Sequence, residues 1–296
     1  MLNNTLIQEI PNKRAKIQGI SVSILRLDLI HPVVSGNKIF KLKFYIEAAI
    51  NEKKQQLITF GGPFSNHLVA TAFAAQQNRL KALGYVRGEE PQQLSDTLND
   101  CIRYGMELKF LPRLEYDALQ QNSIMKENAD AVVIPYGGYG RLGAMGAKEI
   151  LAFETVQNYD TIMASCGSGT MGAGLLSALN NDQKLVLFSA VKNNFSIEAE
   201  IKSLLQKEEY LNKSLEINHQ YHFGGFAKKD EHLFELMNTF YKETNIPTDF
   251  VYTGKLVFAM NDMIQKRLIP EGSNILLIHS GGLQGNRSLK NKELIF

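Results

Sequence analysis

The sequence predicts an α/β protein built on mostly parallel sheets, and three observations carry that prediction. Short apolar runs alternate with stretches of helical periodicity, the pattern of repeated β-α units. Two runs, Lys184–Ala190 and Asn274–His279, are continuously apolar, as strands buried on both faces are. Several runs end in glycine clusters, and open parallel sheets place their ligand-binding turns at such strand ends.

The elements follow in chain order. Ser35-Gly36-Asn37 forms a tight turn ahead of a helix that carries Lys38 at its start. Gln56–Phe60 is a strand running into Gly61-Gly62, and the alanine-rich Leu68–Gln77 is the helix behind it. Lys81–Val86 is a strand, Leu94–Tyr104 a helix and Glu107–Leu111 a strand. Ala129–Pro135 is a strand entering a second glycine cluster, and Gly146–Thr155 a helix. Thr161–Cys166 ends in a third cluster and leads to helix Gly172–Leu179. Lys207–Asn218 is polar and weakly patterned, which reads as a surface helix or an insertion.

Composition narrows the class. The 296 residues are 44% hydrophobic and 21% charged, an ordinary globular balance with enough chain for two subdomains. A net charge of +2 with scattered basic residues, Lys53-Lys54 and Lys228-Lys229 among them, gives no footprint for nucleic acid. Cys101 and Cys166 stand in unlike contexts, which argues against a disulfide framework. The six histidines show no metal-binding spacing, so no metal is expected. Met1 to Lys16 lacks the apolar core of a signal peptide, and no run approaches the roughly 20 apolar residues of a membrane span. A cytoplasmic location is the expectation.

Three motifs bear on chemistry. A lysine at a helix start, as Lys38 is, sits in partial positive charge that disfavours its ammonium, which suits a Schiff-base lysine; a solvated lysine on a capped helix is the plainer alternative. Cys166-Gly167-Ser168-Gly169-Thr170 follows a strand and opens a helix, offering backbone N–H groups and two hydroxyls to a phosphate, where a bare turn is the alternative. Gly167-x-Gly169-x-x-Gly172 and Gly138-x-Gly140-x-x-Gly143 both match the dinucleotide fingerprint. Asp160, the acidic residue about 20 positions after the second, precedes its strand instead of ending it, which weighs against a dinucleotide. Ser35-x-x-Lys38 matches the serine-lysine motif of penicillin-recognising hydrolases, but their Lys-Thr-Gly strand is absent. One imine lysine, one phosphate cup and several glycine-lined strand ends together describe a site for pyridoxal 5′-phosphate (PLP).

Arg26-Leu27-Asp28-Leu29, Ser35-Gly36-Asn37-Lys38, Lys41-Leu42 and Gly61-Gly62-Pro63-Phe64-Ser65-Asn66-His67 appear in one order with Pro135-Tyr136-Gly137-Gly138, Gly167–Thr170, Tyr221–Gly225, Val251–Lys255 and Ile278–Gly282. This order resembles the 1-aminocyclopropane-1-carboxylate (ACC) deaminase / D-cysteine desulfhydrase family of fold-type II PLP enzymes, the tryptophan-synthase-β-like fold. The resemblance implies two three-layer α/β/α subdomains with the active site in the cleft between them. Residues 1–40 and 150–296 would form the large domain and 41–149 the small one. Lys38 matches the lysine that forms the Schiff base and shuttles the Cα proton. Ser65 and Tyr252 match a serine and a tyrosine at the substrate, and Asn66 the asparagine on the cofactor's ring oxygen. Gly167, Ser168, Gly169 and Thr170 match the phosphate loop. Ser280 matches the hydroxyl facing the pyridine nitrogen. A homodimer is implied as well. ACC deaminases carry a second tyrosine where this chain has Leu277. That difference favours α,β-elimination from D-cysteine, giving pyruvate, ammonia and sulfide, over ACC deamination to 2-oxobutanoate and ammonia. A fold that binds PLP but is catalytically idle is the remaining alternative.

Overall fold

The computed structural model describes residues 6–32, 34–124, 130–152, 154–289 and 293–296. The strands are β1 (Ile7–Glu9), β2 (Ser21–Arg26), β3 (Gln56–Gly61), β4 (Lys81–Arg87), β5 (Met106–Leu111), β6 (Ala131–Ile134), β7 (Thr161–Cys166), β8 (Lys184–Ser189), β9 (Ser214–Asn218) and β10 (Asn274–His279). The helices are α1 (Lys13–Ile17), α2 (Asn37–Asn51), α3 (Asn66–Gln77), α4 (Asp96–Arg103), α5 (Arg113–Ile124), α6 (Arg141–Lys148), α7 (Thr170–Ala178), α8 (Ile197–Ser203), α9 (Glu231–Thr244) and α10 (Thr253–Gln265).

The strands form two sheets, giving the two α/β subdomains of a fold-type II PLP enzyme. The larger has the order β1-β2-β10-β7-β8-β9 and is parallel except for β1. Its central strands are apolar throughout because both faces are covered. Ile162, Ala164, Leu185, Leu187, Leu276 and Ile278 face one core with α6, α7 and α8. Met163, Val186, Phe188, Ile275 and Leu277 face the other with α10 and Phe240 of α9. The smaller sheet, β5-β4-β3-β6, is wholly parallel. Leu57 and Ile134 pack beneath α2, α3 and α4. Phe60 turns to the other side, where Tyr116 of α5 meets it edge-on at 5.8 Å.

Helix caps set the entry to each element near the cleft. Ser65 caps α3 by accepting the Leu68 N–H at 3.3 Å, and Ser95 caps α4 through the Leu98 N–H at 3.2 Å. Gly36 precedes α2 and Gly169 precedes α7 with positive φ, so neither helix has a side-chain cap.

Two expectations are corrected. The helix expected over Gly146–Thr155 runs instead from Arg141 to Lys148, and 3-10 turns follow. Its internal glycines are there for packing: a Cβ on Gly146 would lie 1.9 Å from the Phe40 carbonyl oxygen, and one on Gly143 2.1 Å from that of Gly138. The polar segment Lys207–Asn218 ends in edge strand β9, whose single neighbour leaves it half-buried and hides its pattern. Ala129 and Phe153, within expected elements, and Met1–Thr5 lie outside the described residues. Among the described residues no helix is long and apolar enough to cross a membrane.

Candidate active site

The C-terminal ends of β3, β4, β6, β7 and β10 converge on one cavity of about 570 Å³ between the two sheets. Ligands in parallel α/β sheets bind at such strand ends. Lys38, Ser65, Asn66, Gly167, Ser168, Gly169, Tyr252 and Ser280 all line it. Thr170 does not: it is fully buried at the first position of α7, its hydroxyl 3.3 Å from that of Ser168.

Lys38 is positioned by a backbone contact that only glycine permits. A Cβ on Gly36 would lie 1.8 Å from the Ser280 carbonyl oxygen, and that carbonyl accepts the Asn37 N–H at 2.8 Å. The start of α2 is thereby clamped to the end of β10. From there the Lys38 ammonium donates to Asn37 Oδ1 at 2.8 Å. Its pKa is lowered to about 8 by burial, with the Asp249 carboxylate pulling the other way. Removal from water, not the helix-terminal charge or cationic neighbours expected from sequence, is the cause that lowers it. Asp249 is itself held by the first turn of α10, accepting the N–H groups of Val251, Tyr252 and Thr253 at 2.9 Å each.

Opposite Lys38 lies the glycine loop. Gly169 has φ +76°, and a Cβ there would crowd Ile201 Cγ1 at 3.0 Å. A Cβ on Gly167 would lie 3.1 Å from the Tyr252 hydroxyl, so the missing side chain lets that phenol sit over the loop. Burial, reinforced by Tyr136 and Asp249, pushes the Tyr252 pKa well up, leaving a neutral hydroxyl that can donate. Burial likewise pushes the Cys166 thiol up to about 11.

Four features of the site escaped the sequence argument. Lys41 lines the cavity one turn after Lys38, 4% exposed, with its ammonium 3.3 Å from the Gly137 carbonyl oxygen. Burial and then Lys38 push its pKa well down. The i, i+3 spacing was a usable signal. His67 is 2% exposed; the Thr59 hydroxyl donates to the Ile134 carbonyl, so it accepts from His67 Nε2–H at 2.8 Å. Nδ1 of that neutral ring has no hydrogen-bond partner among the described residues. Tyr136 adds a second phenol, and Arg87 and Arg113 add cationic groups at the small-sheet wall.

Other expectations meet the structure differently. Leu277 is fully buried in the large-sheet core, facing α10 and not the cavity. Asn66 lines the cavity, but its amide spans the cleft, donating to the Gly282 carbonyl at 2.9 Å and accepting the Gln284 N–H at 3.2 Å. Ser35 accepts the Gly282 N–H at 3.1 Å, a backbone tie that gives no support to a serine-lysine hydrolase. Asp160 binds the Thr161 hydroxyl and the Asn274 N–H at the N-terminal ends of β7 and β10, the wrong end for a ribose.

The residues present fit PLP. Lys41 is a buried amine, its charged form disfavoured, that no carboxylate pairs among the described residues, set beside a loop whose helix N-terminus lacks a side-chain cap; a phosphate there would stabilise the ammonium. Lys38 faces the same space as a buried, weakened base. A two-sheet α/β fold with a lysine and a phosphate cradle at facing strand ends defines a PLP enzyme of fold type II. The chain belongs to the pyridoxal-phosphate dependent enzyme family, which it matches over residues 2–281. It is 30% identical over 302 residues to a protein of Pyrococcus horikoshii provisionally assigned as a 1-aminocyclopropane-1-carboxylate deaminase, covering 95% of this chain and 90% of that one. It is 29% identical to a mitochondrial bifunctional D-cysteine desulfhydrase/1-aminocyclopropane-1-carboxylate deaminase of Arabidopsis thaliana, covering 90% of this chain and 73% of that one. The crystal structure of an ACC deaminase homologue superposes with a TM-score of 0.78 at 27% identity, covering 95% and 90% of the two chains. The protein is a PLP-dependent enzyme of the lyase/deaminase type acting on a small amino acid.

Proposed function

We propose that this enzyme deaminates ACC, with α,β-elimination from D-cysteine as a second reaction of the same site. The observation that carries the reading is the convergence of Lys38, the Gly167–Gly169 loop and two phenols, Tyr252 and Tyr136, on one cavity. Relatives named for ACC deamination support the first reaction, and the bifunctional relative supports the second. A polar group missing at Leu277 does not favour D-cysteine over ACC. That side chain points into the core, and Tyr136 brings a second phenol to the cavity from elsewhere.

Bound PLP supplies the electron sink that makes bond breaking at Cα feasible. The protein's residues do the rest. Lys38 Nζ, its pKa lowered to about 8, would bind the cofactor and then take a proton from the substrate: the one at Cα in D-cysteine, and one from a ring methylene in ACC, whose Cα carries none. The 167–170 loop and Lys41 would hold its phosphate, and Ser280 would offer a neutral hydroxyl to the pyridine nitrogen. Ser65, at the N-terminus of α3, binds the substrate carboxylate. Asn66 would offer its remaining amide hydrogen to the cofactor's ring oxygen while tying the 282–284 backbone in place. Tyr252 or Tyr136 would return one proton to the ring carbon that parts from Cα in ACC, balancing the one Lys38 removes, or protonate the departing sulfur of D-cysteine. Residues 1–40 with 150–296, and 41–149, would act as the two lobes that enclose them.

The test is ammonia and keto-acid release from ACC and from D- and L-cysteine. We expect 2-oxobutanoate from ACC, falling by roughly a hundredfold in Tyr252→Phe, the range of a lost general acid. Pyruvate from D-cysteine with no product from ACC would reverse the ranking, and inertness toward all three would end the proposal.

A further inference from the structure

The cavity extends beyond its reacting end. The ends of β4 and β5 also deliver Arg87 and Arg113 to its wall. Its lining holds four cationic side chains against one carboxylate, Asp249. Lys38 and Lys41 belong to the cofactor end. Asp249 is occupied by the backbone of α10. Arg87 is paired, its Nη2 lying 3.1 and 3.2 Å from the Asp117 oxygens and its guanidinium 5.8 Å from the Tyr116 ring centre. Arg113 forms no ion pair among the described residues, where fourteen such pairs include most of its neighbours in kind.

ACC and D-cysteine do not account for this wall. Neither carries a carboxylate besides the one at Cα, and the N-terminus of α3 already provides for that group. A guanidinium left unpaired at the mouth of a cavity is matched by a carboxylate-sized anion presented from within. We propose that Arg113, backed by Arg87, forms a subsite for an anionic group at the end of the substrate side chain, so that the enzyme accepts amino acids with a second acidic group as well as small neutral ones. The proposal rests on the reading of the cavity as a PLP-dependent amino-acid site. Arg113 is exposed, so the contact is modest in strength and sensitive to salt.

The experiment titrates the PLP-loaded enzyme with aspartate and with its neutral isostere asparagine, in both enantiomers, following the absorbance of the bound cofactor. Aspartate is expected to bind roughly tenfold more tightly than asparagine at low salt, as one exposed charge-assisted contact allows. The ratio should shrink as salt is added. It should collapse toward unity in Arg113→Gln and recover in part in Arg113→Lys. Equal affinities in the wild type would overturn the proposal. So would an Arg113→Gln variant that weakens both ligands equally, since the arginine would then serve the carboxylate at Cα. Turnover of ACC or D-cysteine without an aspartate preference removes the subsite and leaves the proposed function standing. A cofactor band that no amino acid perturbs removes both.

Discussion

Lys38 is the residue on which most of this chemistry turns, and its cost is measurable. Its pKa falls from 10.5 to about 8, so at neutral pH the folded apoenzyme carries a disfavoured ammonium. Below about pH 8 it is protonated in both folded and unfolded chains and the penalty is complete. Between about 8 and 10.5 the unfolded chain binds more protons, so stability rises with pH. In Lys38→Met the apoenzyme should therefore be more stable than wild type at pH 7, with the gap closing toward pH 10; thermal melts of the two apoproteins across that range test it. The same variant should carry no pyridoxyl label after borohydride treatment. A label on a peptide lacking Lys38 would end the assignment. Legibility at this scale was uneven. Lys38 stands out in the sequence because a turn and a helix start surround it. Arg113 does not, because only the sheet order brings the end of β5 to the cavity.

At the scale of elements, two glycines set the geometry of helix starts. Gly169 places α7 with φ +76° against Ile201, so Gly169→Val adds backbone strain and a clash at the phosphate cradle. We expect a folded protein with little bound PLP, read by far-UV circular dichroism and cofactor absorbance; full occupancy would reduce the loop to a turn. Gly36→Ala is more damaging, since its Cβ meets rigid backbone at Ser280 and its φ is +71°. Strain and overpacking together are expected to cost about 3 kcal/mol in denaturant unfolding. Glycine clusters after apolar runs pointed to both positions. The glycines within α6 misled for the opposite reason. The helix was expected only from Gly146, yet Gly146 serves the close packing of α6 on α2 and Gly143 its packing on Gly138, which no local signal records.

Across the whole molecule, side chains of α3 and α4 link the small sheet's helices to the segment after β10, besides the backbone clamp of α2 on Ser280. Asn66 makes hydrogen bonds to the backbone at Gly282 and Gln284, and Arg287 Nη1 lies 2.6 Å from Asp100 Oδ2 in α4. They differ in environment: Asn66 sits at the cavity, while the Arg287 side chain is 40% exposed. Asn66→Ala should thus speed hydrogen exchange in the 281–286 segment and weaken PLP binding. Arg287→Ala should shift stability by less than about 1 kcal/mol, as exposed pairs do. A larger effect for Arg287→Ala would make the surface pair the main tie between the lobes.

The sequence by itself determined the α/β class, the parallel sheets, and the placing of Lys38 at a helix start and of the 167–170 loop at a strand end, because each rests on local spacing: apolar runs of strand length, and glycines at strand ends ahead of helices. The tertiary structure alone decided what surrounds them. Desolvation at Lys38 comes from the fold around it. The unpaired charge of Lys41 depends on which residues approach it. Leu277 lies in the core because its place on β10 turns it toward α10, and alternation along a strand does not say which face is which. The arginine-lined wall exists because β4 and β5 end where the two sheets meet, a fact of strand order that no stretch of sequence contains.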